Sequence, residues 1–425
     1  MKFVRKGIST TVVAAIAVVA IIVVGAGAYL AASGSKTTTT VTSTTTTTAL
    51  STTTAVSTSV TTSTSTSTST STSTSIATQT TIAQPVLPAT LPSTTTPISE
   101  AGSSLVYPFF QLIAANFTHM YSNVQFNTAA GGSGAGQSGV EANTINIGGS
   151  DPFLTNAQMA ANPGILNIPV AVSAQQVNYN LPGIPNTTHL NFTGNVLAGI
   201  YNGTITYWDN AAIAGLQSAS VAAMLPHQLI VPLHRSDSSG DTNLFTTYLS
   251  DTSADWAKAY GSGNTVAWAS VPTAEAENGN SGMLTACSQT QYSIAYIGVS
   301  YLAQANTDNL GNAALQNLAG NFVQLTTPNV QAAVNAQYKS TPPDERLSMI
   351  YGPGATSYPI VNYEYALVRQ QQTSAQLAQD IQAILWYATL PQYGQSSYFL
   401  NPLGFIALPP SIAQLTWAQI NSITG

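Results

Sequence analysis

The chain has 425 residues, 44% of them hydrophobic, and a formal net charge of -6, which is enough apolar content for one large or two smaller folded units. Only 6% of residues are charged, against roughly a quarter in ordinary soluble domains, so no basic stripe exists to hold a phosphate backbone and a nucleic-acid partner is excluded. The single cysteine, Cys287, and the 4 scattered histidines exclude an internal disulfide framework and any familiar zinc spacing.

Taken in chain order, the first element is apolar. Lys2, Arg5 and Lys6 precede an uncharged run over residues 12–32 that spans roughly 30 Å as a helix, a membrane length with its positive flank on the cytoplasmic side. Residues 36–97 are almost wholly threonine and serine, with Pro85, Pro88, Pro92 and Pro97 near the end. Such a segment cannot bury enough apolar area to offset the ordering of its backbone, so it is expected to be an unstructured stalk, of a composition often O-glycosylated. N-x-Ser/Thr sequons at Asn116, Asn186, Asn191 and Asn202 fit an exported chain.

From residue 98 the pattern becomes strand, polar loop, helix. Leu105, Phe109, Leu112, Ile113, Phe117 and Met120 recur at helical spacing, predicting a helix over 105–121. Val124 and Phe126 alternate as in a strand and lead into Gly131 to Gly136 and a second helix over 134–143. Ile145 and Ile147 alternate into Gly148-Gly149-Ser150-Asp151. Leu229, Ile230 and Val231 run into His234-Arg235-Ser236-Asp237-Ser238-Ser239-Gly240-Asp241-Thr242 and a helix over 240–250. The repeated unit predicts an α/β fold. The low charge density also leaves few groups to titrate, which predicts a chain that works in acid.

Three serines stand before helical patterns: Ser104, Ser133 and Ser239. Any one of them is ordinarily a cap on free backbone amides, yet the same amides and helix dipole bind anions where glycine allows close approach. Arg235 joins them as one of only five basic residues after position 100, with Lys258, Lys339, Arg346 and Arg369. Asp151 read alone is a turn residue. Beside an oxyanion its ionised carboxylate only accepts hydrogen bonds, so it selects a ligand that carries a proton, as phosphate does and sulfate does not. His119, His189 and His227 are placed as surface or core residues. Ser239 with His234 as a nucleophile and base lacks an orienting third group.

These loops resemble the phosphate-binding proteins of phosphate ABC transporters. Ala101-Gly102-Ser103-Ser104-Leu105-Val106-Tyr107-Pro108, Gly131 to Gly136, Gly148-Gly149-Ser150-Asp151 and the Arg235 loop carry the resemblance, which covers nearly all of residues 98–425. It implies a type II periplasmic-binding-protein-like α/β fold, two lobes joined by a two-crossover hinge with the ligand in the interlobe cleft. The expected boundaries are 1–35 for a signal or anchor segment, 36–97 for the stalk, 98–177 plus 360–425 for lobe I and 178–359 for lobe II. It further implies phosphate binding by Ser104, Leu105, Ser133, Asp151, Arg235, Ser239, Gly240 and Asp241. Asp237 would hold Arg235, no cofactor or metal is required, and the partners are ABC-transporter permease and ATPase subunits. The chain departs from the pattern at Leu105, where many members carry phenylalanine, at Asp241, where some carry threonine, at Gln291-Tyr292-Ser293, which lacks a common proline-glycine, and in its anchor and stalk. Lys6-Gly7-Ile8-Ser9-Thr10 resembles an archaeal prepilin-type signal, implying cleavage after Gly7 and leaving open a surface or filament subunit as the alternative, with another oxyanion such as sulfate as a third.

Overall fold

The computed structural model describes residues 38–52, 66–80, 82–93 and 97–425, which fall into two units divided after Thr80. The apolar run over 12–32 and the Gly7 site lie outside the described residues. Among the described residues no helix is long and apolar enough to cross a membrane. In the first unit Thr38–Thr52 and Thr66–Thr80 pair as an antiparallel ribbon, with Thr38 opposite Thr80 and Thr52 opposite Thr66. Composition argues for an unstructured stalk here. The ribbon follows from threonine's β-branching, which favours extended backbone.

The second unit is built on a sheet of β1 (Ile98–Gly102), β2 (Phe126–Ala130), β3 (Ile147–Ser150), β4 (Ile165–Tyr179), β5 (Val231–Arg235), β6 (Glu275–Glu277), β7 (Ser293–Gly298), β8 (Gly311–Asn312) and β9 (Val361–Arg369). Their order is β2-β1-β3-β9-β4-β7-β5-β6, with β8 added on β4. β1 runs parallel to β2 and β3, and β5 parallel to β6 and β7. Parallel neighbours require crossovers, supplied by α1 (Tyr107–Met120), α2 (Ser133–Glu141), α3 (Gly240–Thr252) and α4 (Gly279–Gln289). The fold is the expected type II binding-protein-like α/β architecture of two lobes.

One strand serves both halves. Residues Ile165 to Ala174 of β4 pair antiparallel with β9, and Gln175 to Tyr179 pair antiparallel with β7. The second connection enters β9 through Tyr358, whose hydroxyl donates to Gln175 O at 2.8 Å. Nearly all of β4 is buried, because helices cover both faces, so the strand reads as a continuous run rather than an alternation. After β9 the chain returns to the first half: α5 (Ala375–Thr389) and α6 (Pro410–Asn421) pack there, with Tyr387 edge-on to Phe117 of α1 at 5.6 Å between ring centroids.

Helix starts differ from expectation by a turn or less. α1 begins at Tyr107, not 105, with Pro108 in its first turn, where the missing N–H costs nothing. α2 begins at Ser133 itself, after Gly132 at φ +82. α3 begins at Gly240 behind the Ser239 cap, as its sequence predicts. The carboxyl ends of β1, β2, β3 and β5 therefore all deliver their loops to one region, the usual ligand edge of an open α/β sheet.

Candidate functional site

Each residue expected to bind reaches that region and is buried, and the supporting Asp237 is half-buried. Ser104 is 4% exposed, Asp151 1%, Arg235 3% and Asp241 1%, while Leu105, Ser133 and Ser239 are fully buried. Gly240 shows how close the two lobes come: a Cβ there would lie 2.3 Å from both Asp151 Oδ2 and Ser133 Oγ. The Gly134 amide donates across the cleft to Ser238 O at 2.9 Å. Beside the cluster lies a cleft of about 460 Å³, lined by Ser104, Tyr107, Gly131, Gly132, Gly279 and Tyr301 among others.

The first loop corrects one expectation. Ser103, not Ser104, serves the start of α1: its Oγ accepts from the Leu105 and Val106 amides at 3.0 and 3.3 Å. These amides lie in the turn that leads into α1, which starts at Tyr107 with no side-chain cap of its own. Ser104 Oγ instead accepts from Asn280 N and Nδ2, both at 3.0 Å, joining the first loop to the mouth of α4. The Leu105 amide, expected to face a ligand, is thus taken by Ser103, and the Leu105 side chain packs on Gly298.

In the second and third loops, Ser133 Oγ accepts from the Asp151 amide at 3.1 Å. Asp151 Oδ1 accepts from Ser103 Oγ, and its carbonyl oxygen accepts from Asn362 Nδ2. In the fourth loop, Ser239 Oγ caps α3 by accepting from Thr242 N at 3.3 Å. Arg235 Nε donates to Asp237 Oδ1 at 2.6 Å and Nη2 to Oδ2 at 2.5 Å, while Nη1 donates to Asp241 Oδ2 at 3.0 Å. The bidentate Asp237 pair fixes the guanidinium plane. His234 stacks on Trp268 at 4.8 Å and its Nδ1 lies 3.2 Å from Arg235 O. His234 and Ser239 are thus engaged separately, not as a nucleophile and base.

Sequence reasoning missed four residues. Ser103 holds Asp151, and Asn280 Nδ2 donates to Asp241 Oδ2 at 2.6 Å. Gln175 Nε2 donates to Asp241 O and Oδ1 at 2.9 and 3.0 Å. Glu364, in the middle of β9, faces the Asp151 carboxyl. The available signal for Gln175 and Glu364 was a polar side chain inside a strand buried on both faces, since such a group must find a partner.

Electrostatically, one guanidinium acts on the carboxyls of Asp237, Asp241 and Asp151, and Glu364 lies behind Asp151. Burial works against the charge of Arg235, but Asp237 and Asp241 hold it above its ordinary pKa. Burial also opposes ionisation of Asp237, yet the Arg235 hydrogen bond keeps it below the usual carboxylate range. Burial and then the Asp241 charge push Asp151 up to about 7. Burial raises Asp241 despite Arg235. Elsewhere in the unit burial raises Glu345 to about 8, and Glu100 well above the normal range.

Carboxyls raised in the folded state stabilise it below their unfolded pKa near 4 and lose that contribution as pH rises through the folded values. Asp151 and Glu345 place this loss between about pH 4 and 8. The ligand-free protein is therefore expected to melt higher at pH 5 than at pH 8, by on the order of 5 °C or more. Thermal unfolding in phosphate-free buffers measures this, and a melting temperature that rises with pH would contradict it. The outcome also bears on the expectation of an acid working range.

Comparison with known proteins gives the architecture a family. The PBP superfamily domain model matches residues 62–380. The phosphate-binding protein PstS of Methanocaldococcus jannaschii is 34% identical over 325 residues, covering 72% of this chain and 81% of that protein. PstS of Pasteurella multocida is 32% identical over 323 residues, covering 76% and 89%. Among solved structures, a high-affinity periplasmic phosphate-binding protein with bound phosphate matches with a TM-score of 0.59 at 20% identity, over 75% of this chain and 92% of its own. A phosphate-binding protein from Stenotrophomonas maltophilia matches with a TM-score of 0.55 at 17% identity, over 76% and 93%. The structural matches speak for the fold; the family model and the sequence matches show that this chain belongs to the PBP superfamily and, within it, to the PstS phosphate-binding proteins.

Proposed function

We propose that this protein captures inorganic phosphate in the cleft between its lobes and delivers it to ABC-transporter permease and ATPase subunits. The observation that carries this reading is the convergence of Arg235 and the buried carboxyl of Asp151, which lies within the field of that guanidinium, at the place where Gly240 meets Ser133. A ring containing one cation and several carboxyls repels an anion that brings no proton. A phosphate donates its own to Asp151, and in this reading Asp241 accepts a second from a ligand that carries one.

In this reading Ser104, Ser133 and Ser239 donate hydroxyls, Leu105, Gly240 and Asp241 lend backbone amides, and Asp237 locks Arg235. The Leu105 amide turns from Ser103 to the ligand as the site fills. Lobe I takes residues 98–177 and 360–425 and lobe II residues 178–359, with β4 and the segment entering β9 as the two crossovers. Closure, desolvation and a dense set of hydrogen bonds hold the anion, with no covalent step. The Gly7 leader, the apolar run and the Thr/Ser-rich segment argue for an archaeal protein tethered to the outer face of the cell membrane. The sequons give it a glycoprotein surface, with the amides of Asn116 and Asn191 donating to Leu112 O and Leu216 O at 2.9 and 3.0 Å.

Calorimetric titration of the full chain tests the assignment. Phosphate is expected to saturate one site, arsenate to compete, since it carries the same proton, and sulfate to give no heat. Tight sulfate binding with no phosphate response would replace phosphate by another oxyanion. Silence with all three would favour a surface or filament role.

A further inference from the structure

Glu364 is fully buried in the middle of β9. Its Oε1 accepts from Ser173 Oγ at 2.5 Å. Its Oε2 is buried without a donor among the described residues, and because Tyr365 pairs antiparallel with Ser150 between β9 and β3, the residue across from Glu364 is Asp151. Two ionised carboxylates offer each other only lone pairs, so a contact between them in a buried site requires a shared proton. Asp151 has the Ser103 hydroxyl and the field of Arg235 to stabilise a negative charge. Glu364 has one hydroxyl and no cation.

We propose that Glu364 is carried as a neutral carboxylic acid that donates its proton to Asp151, a positioning residue that keeps Asp151 ionised to receive the ligand's proton. For its binding consequence this rests on the phosphate reading; for the location of the proton it does not. Burial first, and then the Asp151 charge, push Glu364 well above the usual carboxylate range, and the hydrogen bond they share lowers Asp151 while raising Glu364. The titratable groups around Glu364 are Asp151 from the loop after β3, Asp241 from α3 across the cleft and Tyr365 beside it on β9, with Arg235 acting through Asp151. Ser173 on β4 does not titrate, so nothing from that side replaces the proton. The acid therefore supplies a donor that serine spacing and helix mouths do not reveal.

Two variants of the full chain separate the possibilities. In E364Q the amide oxygen keeps the Ser173 hydrogen bond and the NH2 donates to Asp151 at every pH. It is expected to bind phosphate within about threefold of the parent at pH 8, above the value to which Asp151 is raised, and to keep that affinity as the pH is raised further until the parent loses its shared proton and weakens. E364M fills a similar volume without a donor, and is expected to bind about tenfold or more weakly at pH 8. Thermal melts establish that each variant is folded. An infrared difference spectrum at pH 7, ligand-free parent minus E364Q, is expected to show the carbonyl band of a protonated carboxylic acid, with Glu100 and Glu345 cancelling. No such band, or E364M binding as tightly as E364Q, overturns the proposal. Should E364M fail to fold, the band and the alkaline persistence of E364Q decide. A parent that shows the band but binds no phosphate would overturn the functional reading and leave the neutral Glu364 standing.

Discussion

Replacing Arg235 with methionine is expected to lower phosphate affinity by about 10³-fold, the size of effect that follows from truncating one partner of a buried charge pair. The side chain is 1% exposed in both of its ion pairs and reaches Asp237 and Asp241 at once. Methionine retains much of the volume and none of the donors, so the attraction for an anion is lost and Asp241 is left buried beside Asp151 without a cation. Breaking such a pair costs about 3–5 kcal/mol of stability when the remaining charge cannot be neutralised. Asp241 can be neutralised, because burial already raises its pKa. The variant should therefore be less destabilised at pH 5 than at pH 8, and the titration belongs at the acidic end, where folding is checked by circular dichroism. Phosphate affinity within tenfold of the parent at pH 5 would remove Arg235 from the binding role.

How much of this site was legible in the sequence depends on whether a residue acts locally. The Arg235 loop stood out because an arginine, two aspartates and a glycine crowd a helix mouth in a chain nearly bare of positive charge. Ser133 and Asp151 stood out because glycine-rich strand ends precede them. Ser103 was lost to its neighbour, since a helix start read from apolar spacing carries an error of a residue or two, and here that margin decides which serine holds the turn before α1. For Gln175 and Glu364 the sequence carries a signal that a partner exists but not which one. Their partners, Asp241 and Asp151, lie far away in the chain, and no local spacing encodes a contact made by a strand crossing between lobes. The same crossing hid β4: Ile165–Tyr179 changes partner after Ala174 without any break in the strand, so no turn signal marks the hinge.

Gly240→Ala tests closure rather than charge. Gly240 opens α3 behind the Ser239 cap, where alanine is the better helix former by about 1 kcal/mol in a helix interior, so the open form has no reason to lose structure. The obstacle arises only when the lobes meet, because the new Cβ would lie 2.3 Å from Asp151 Oδ2 and from Ser133 Oγ. Neither atom is the free end of a flexible side chain. Asp151 is held by Ser103 and Asn362, and Ser133 by the Asp151 amide. Overpacking of this kind costs about 1–3 kcal/mol, which converts to about 10- to 100-fold in affinity, and two facing atoms argue for the upper end. Since the penalty falls on the closed state, it should appear mainly as faster phosphate release. Small-angle scattering should show the variant remaining open at phosphate concentrations that compact the parent. An affinity within threefold of the parent, with normal compaction, would mean that the ligand-bound cleft is wider than the closed arrangement described here, and would move Gly240 out of the contact between the lobes.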